Sequence, residues 1–214
     1  LDELTSRQIA GTEGARDLAF SPDGHWLAFH AGNRIRKVNL AGGAPAVLAE
    51  AAHAHGLAWH PTEDAIYFAP HQLSAIWRVP ASGDSAAVAV TTLDAERGER
   101  SHEWPLFSAD ARLLIFTVNS KGANFDAETV SFLTLATNSR QTVRTGGPAF
   151  ALTDRGELQF LRMRSIMGAP YSDGRLGSSR LLESSIAVTS GAMAAGSEGT
   201  LRYGRGAVIW RRSL

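Results

Sequence analysis

The stretch Arg16-Asp17-Leu18-Ala19-Phe20-Ser21-Pro22-Asp23-Gly24-His25-Trp26-Leu27-Ala28-Phe29 decides the fold. Two short apolar runs flank a Pro-Asp-Gly turn, which is the pattern of a β-hairpin. A third run, Arg34-Ile35-Arg36-Lys37-Val38, alternates with period two, and Ala41-Gly42-Gly43 turns the chain into a fourth, Ala44-Pro45-Ala46-Val47-Leu48. The unit is therefore an antiparallel meander of four strands.

The same order returns downstream. Leu57-Ala58-Trp59, Ile66-Tyr67-Phe68, Ile76-Trp77-Arg78-Val79 and Ala87-Val88-Ala89-Val90 form a second unit around the turn at 60–64. A third has Trp104-Pro105-Leu106-Phe107, Leu113-Leu114-Ile115-Phe116, Val130-Ser131-Phe132-Leu133 and Gln141-Thr142-Val143. Looser copies follow at Ala149-Phe150-Ala151 with Leu158-Gln159-Phe160, and at Leu201-Arg202-Tyr203 with Val208-Ile209-Trp210. The markers Gly24, Asp64, Ala111, Gly156 and Gly199 are spaced by 40, 47, 45 and 43 residues. Four strands every 40–50 residues or so is the period of β-propeller blades. No helical periodicity interrupts them.

The expectation is an all-β, five-bladed β-propeller in one domain, with blades at about 11–50, 51–95, 96–145, 146–185 and 186–214 plus 1–10. The last unit lacks a strand, and Glu3–Ile9 supplies a spare one ahead of the first unit. Placing it as the outer strand of the last blade closes the ring and covers two edges that would otherwise invite pairing.

Composition narrows the function classes. The 214 residues are 44% apolar and 20% charged with zero formal net charge, so a polyanion such as nucleic acid is not the expected partner. Without cysteine there is no disulfide, thiolate metal site or cysteine nucleophile, and the compartment stays open. No run of eighteen apolar residues suits a membrane span. A monomer is expected.

Ala19-Phe20-Ser21-Pro22-Asp23-Gly24-His25-Trp26-Leu27-Ala28-Phe29 and Leu40-Ala41-Gly42-Gly43-Ala44-Pro45 resemble the PD40, or TolB-like, propeller repeat. Ile76-Trp77-Arg78-Val79-Pro80-Ala81-Ser82-Gly83 and Glu99-Arg100-Ser101-His102-Glu103-Trp104-Pro105 are similar, more narrowly, to propeller sensor regions that follow bacterial serine/threonine kinase domains. The resemblance implies a non-catalytic binding module, often of six or more blades and often outside the membrane. This chain departs from it in lacking a kinase part, in its lower blade count, and in carrying histidine at His30, His53 and His55.

Those histidines point to a site. Blade-to-blade loops and second-to-third-strand loops share one face of a propeller, where the central channel opens. His30, His53, His55, His71 and His102 all fall on that face by this reading, whereas His25 and His60 belong to the opposite one. His53 and His55 share one side of an extended segment, and His102 enters from the next blade. Three imidazoles suit a divalent metal such as zinc, with Glu103, Asp17 or Glu13 as a fourth ligand or general base. Trp104, His71, His30 and Arg16 would line the mouth, and Phe125 would overhang it from the loop 119–126.

Two functions follow. One is a binding module for a small ligand, peptide or partner protein at the channel mouth. The alternative is a metal-dependent hydrolase of small esters or phosphoesters. No GxSxG elbow or phosphate-binding Gly loop is present, and Ser21, Ser108 and Ser197 sit in turns. Asp23, Asp110 and Asp154 recur once per unit as turn-capping carboxylates.

Overall fold

The computed structural model describes residues 8–122, 128–162, 165–172 and 174–183, together with the strand backbones of 193–195 and 201–203. It is all-β and antiparallel. Strands β1 (Arg16–Phe20), β2 (Trp26–Ala31), β3 (Arg34–Asn39) and β4 (Ala46–Glu50) form the first sheet in sequential order. The second contains β5 (Leu57–Trp59), β6 (Ala65–Phe68), β7 (Trp77–Pro80) and β8 (Val88–Ala89). The third contains β9 (Glu99–Phe107), β10 (Leu113–Ser120), β11 (Thr129–Thr134) and β12 (Ser139–Arg144).

The fourth sheet runs β13 (Ala149–Leu152), β14 (Glu157–Arg162) and β15 (Ser165–Ser172). Strand β15 then pairs both with the short β16 (Arg175–Leu176) and with β17 (Arg180–Glu183). A final pair, β18 (Met193–Ala195) and β19 (Leu201–Tyr203), has β18 beside both β1 and β13. Residues 3–7 of the expected N-terminal strand, and Val208-Ile209-Trp210, lie outside the described residues.

Local chemistry repeats from sheet to sheet. In the first hairpin the Ser21 hydroxyl accepts from Trp26 N–H (2.9 Å), and Asp23 Oδ1 accepts from His25 N–H (2.9 Å). The third reproduces this with Leu113 N–H on Ser108 Oγ (2.9 Å) and Arg112 N–H on Asp110 Oδ1 (3.1 Å). In the second, His60 Nδ1 takes the serine's place and accepts from Glu63 N–H (3.0 Å). In the fourth, Thr153 Oγ1 accepts from Glu157 N–H (3.1 Å). These side chains satisfy turn backbone that the ladder cannot.

The cores lie between successive sheets, so middle strands are apolar on both faces. Ile66 and Phe68 pack with Ile35 and Trp59 toward the first sheet, whereas Ala65 and Tyr67 pack with Leu114 and Phe116 toward the third. Ile115 turns the opposite way from its neighbours, joining Val130, Phe132, Leu158 and Phe160. Period-two alternation therefore assigns each residue to one inter-sheet core. Complete burial of a side chain such as Phe68 contributes about 1.5–3 kcal/mol. The outer strands β4, β8 and β12 are largely exposed.

The innermost strands kink at a common place. Asp17, Gly56 and Trp104 each stand four residues before the turn residue Ser21, His60 or Ser108, and each has positive φ (52°, 85° and 49°). The ladders slip there, between Arg16 and Ala19 in β1 and between Glu103 and Leu106 in β9, as a bulge requires. Adjacent kinks are bonded together. Gly56 N–H donates to Asp17 Oδ1 (3.2 Å), and Trp104 N–H donates to the His55 carbonyl (2.8 Å).

A Cβ on Gly56 would stand 2.7 Å from Trp104 Cα, in a conformation that L side chains rarely adopt. Gly56→Ala is therefore expected to destabilise the fold by about 1–3 kcal/mol. Chemical denaturation of the variant against wild type measures this, and an unchanged midpoint would show that the strands need not approach so closely.

Candidate functional site at the channel mouth

The kinks place the preceding residues Arg16, His55 and Glu103 around one point at the innermost ends of three successive sheets. His55 Nδ1 lies 3.5 Å from Glu103 Oε2, and the other oxygen of Glu103 accepts from Ser101 Oγ at 2.6 Å. Burial leaves Glu103 4% exposed, while the His55 side chain is 25% exposed and screens it from solvent. The Glu103 hydrogen bond holds the His55 pKa above its ordinary value against the opposing effect of burial, with help from the charges of Glu103 and Asp17. His55 is thus the side chain that faces Glu103 Oε2.

Two further carboxylates are held protonated more strongly than usual. Desolvation raises Asp17 to about 6, although the Gly56 N–H, His55 and Arg16 all favour its ionised form. Desolvation, reinforced by the Glu103 charge, raises Glu128 to about 8. Glu128 Oε2 is buried without a hydrogen-bond partner, as is Thr117 Oγ1. Thr117 is the cross-strand partner of both Glu103 and Val130, so these three project from the same face of the third sheet. Glu128 precedes Val130 by two residues.

The expected three-imidazole metal set is not assembled. His102 lies inside the nine-residue β9, opposite Val118, and alternation turns it to the face away from Glu103. There it is fully buried against Phe116 (4.5 Å between ring centroids). The ionised Glu99 can only accept, so His102 Nε2–H donates to Glu99 Oε2 (3.0 Å), and Nδ1 of the neutral ring accepts from the Thr91 hydroxyl (2.8 Å), which itself accepts from Ile76 N–H (2.9 Å). Arg140 holds Glu99 with both guanidinium nitrogens. Burial lowers the His102 pKa to about 4, keeping it neutral, and Glu99, although desolvated, is lowered to about 2 chiefly by Arg140. Both ring nitrogens of His102 therefore serve the fold.

The other histidines divide between structure and solvent. His30 is fully buried, with Nε2 bonded to the Ala51 carbonyl (2.8 Å) and Nδ1 accepting from Arg16 Nε (3.2 Å). It orients Arg16 and offers no free nitrogen to a ligand. His53 is exposed, and so is His71, whose Nδ1 accepts from Leu73 N–H (3.3 Å). Trp104 is half-buried beside His55, at 6.1 Å between ring centroids. Phe125 lies outside the described residues.

Among the described residues no three His, Asp or Glu side chains converge as a metal would require. The mouth instead joins Arg16, Asp17, His55, Glu103 and Trp104 with Glu128 and Thr117, which sequence reading had passed over. The available signal was an acidic residue directly before the apolar alternation Val130-Phe132, and a lone hydroxyl within Ile115-Phe116-Thr117-Val118.

Glu128 makes stability depend on pH. Its unfolded value is near 4.5 and its folded value about 8, so between these the folded state retains a proton that the unfolded state has lost. Stability from this group therefore falls as pH rises through that window. Glu128→Gln is expected to gain stability relative to wild type from pH 4.5 to 8, which parallel thermal melts would measure. A constant difference between the two proteins would show that Glu128 titrates normally.

No protein-family model and no curated protein matches the sequence. Among solved structures, the chain is similar to a gluconolactonase from Xanthomonas campestris (TM-score 0.66, 18% identity, 92% of this chain and 72% of that one). It is also similar to a TolB candidate from Agrobacterium tumefaciens (TM-score 0.65, 16% identity, 94% of this chain and 71% of that one). A third similarity is to an oligogalacturonate lyase in complex with manganese (TM-score 0.56, 14% identity, 74% of this chain). The chain spans 51% of the length of that lyase. Neighbours of such different activities, at these identities, establish what is common to them: an all-β propeller architecture of antiparallel four-stranded sheets.

Proposed function

We propose that this chain is a propeller binding module that holds a small ligand, a peptide or a partner protein at its channel mouth. One observation carries the reading. Charged side chains from three consecutive sheets meet there: Arg16 and Asp17 at β1, His55 ahead of β5, Glu103 in β9 and Glu128 ahead of β11. Convergence of several loops on one concave opening is the usual setting of a ligand site. The resemblance of the sequence to propeller sensor regions of kinases agrees with a recognition role.

The same proposal includes a ring of five blades in one domain. The placement of β18 beside both β1 and β13 supports a fifth blade between the first and the fourth. The N-terminal segment is its outer strand in this reading. Among the described residues no helix is long and apolar enough to cross a membrane.

The alternative, a metal-dependent hydrolase of esters or phosphoesters, retains Asp17 and Glu103 as candidate general bases. Asp17, poised at about 6, is suited to taking a proton near neutrality. His102 faces away from Glu103 and is held on both ring nitrogens, which favours binding as the function proposed.

A thermal-shift screen of small molecules and short peptides tests it. Ligands that stabilise wild type are expected to lose their effect in Arg16→Ala and His55→Ala, with the folds retained by circular dichroism. Ligands indifferent to both substitutions would place binding elsewhere and overturn the proposal. So would chelator-sensitive turnover of activated esters by protein in which elemental analysis finds a stoichiometric metal.

A further inference from the structure

The acceptors on the third sheet's inner face indicate what kind of group the mouth takes, a step that rests on the binding reading above. Glu103, Thr117 and Glu128 lie together at the inner end of that sheet, and each is at least nine-tenths buried. Among the described residues, Thr117 Oγ1 and Glu128 Oε2 have no partner. Glu103 Oε2 faces His55, a partly exposed side chain at 3.5 Å. Burying acceptors without donors is costly, and folded proteins seldom do so without a use for them.

We propose that the channel mouth binds a primary alkylammonium group, of a small amine or a lysine side chain, against Glu103, Thr117 and Glu128. An ammonium has three N–H donors and no acceptor, which suits neighbouring acceptors on one sheet face. Its positive charge takes the place of His55 on Glu103 Oε2 and offsets the repulsion between Glu103 and Glu128. A carboxylate or phosphate would instead meet two acidic side chains, and a divalent ion would need more convergent ligands than the mouth provides.

Charge balance gives the proposal a measurable consequence. The groups facing this point are Glu103 on β9, Glu128 ahead of β11, His55 ahead of β5, and Asp17 and Arg16 on β1. The connection between β12 and β13 contributes the backbone of Gly146, whose N–H donates to the Glu128 carbonyl (3.1 Å), and among the described residues the fourth sheet contributes no charged group that bears on Glu128. Burial keeps Glu128 protonated up to about pH 8, and a cation seated against it favours the ionised form. Raising the pH removes that proton beforehand, so affinity for the ammonium increases with pH and levels off above about 8.

The test is thermal melting of the full chain at several pH values with n-butylammonium chloride, Nα-acetyl-lysine amide, sodium butyrate, calcium chloride or manganese chloride, each against sodium chloride of equal ionic strength. Butylammonium or the lysine amide is expected to raise the wild-type midpoint beyond sodium chloride, and increasingly so from pH 5 to 8. Stabilisation by butylammonium indicates a small-amine site, and by the lysine amide alone a peptide site. Glu128→Gln and the near-isosteric Thr117→Val are each expected to abolish the shift while remaining folded. No shift from either amine, or equal shifts in wild type and Glu128→Gln, overturns the inference. Stabilisation by butyrate or by a divalent chloride instead of the amines also overturns it, and leaves the binding-module reading standing.

Discussion

The structure depends on the contact between neighbouring innermost strands at their left-handed kinks. Asp17 accepts the Gly56 N–H, the His55 carbonyl accepts the Trp104 N–H, and Gly56 has no side chain because Trp104 Cα occupies the space where one would go. Each kink carries local strain, most evidently at Trp104, where a bulky residue adopts φ of 49°. The strain persists because the same backbone hydrogen bonds tie three sheets together. In an ordinary sheet an N–H at a bulge is left unpaired; here those of Gly56 and Trp104 are satisfied by the preceding sheet.

That arrangement separates the duties of the residues. Apolar side chains between sheets provide the stabilisation, and alternation sends each to one of two cores. The channel ends of the innermost strands contribute little to those cores, so charged side chains there displace no packing. Arg16, His55 and Glu103 occupy corresponding positions in three blades and differ entirely in chemistry. The repeat fixes the place and leaves the side chain free to vary, as expected of a scaffold whose sites are added onto a common frame.

Much of the frame was legible because its determinants are local. A Ser-Pro-Asp-Gly turn between apolar runs specifies a hairpin through bonds spanning only a few residues, and its recurrence gave the strand order of the first three sheets. The mouth was legible only in part. Of the residues expected at one site, His55 lies beside Glu103 and Trp104, and Asp17 and Arg16 bear on His55 from the neighbouring strand. His102 was read as a loop residue, because Glu99-Arg100-Ser101-His102-Glu103 is polar and has no strand pattern of its own. Pairing with the end of β10 extends β9 through this segment, and strand geometry then directs His102 and Glu103 to opposite faces. Thr117 and Glu128 gave only a faint sequence signal, because their importance lies in partners they lack among the described residues, and a missing partner is a property of three-dimensional surroundings.

The two ionic clusters of the third sheet show how differently burial can be resolved. On one face, Glu99 receives Arg140, His102 and the Asp94 N–H, and its charge is fully compensated within the chain. On the other, Glu103 receives a hydroxyl and a half-exposed imidazole, and Glu128 Oε2 receives nothing. Both clusters are built on β9, whose register shift between Glu99 and Ser101 brings Glu99 to the His102 face. A closed network such as the first rigidifies the join between blades. An open one, set where the channel meets solvent and costing stability as pH rises, makes physical sense as a surface kept ready for a charge arriving from outside.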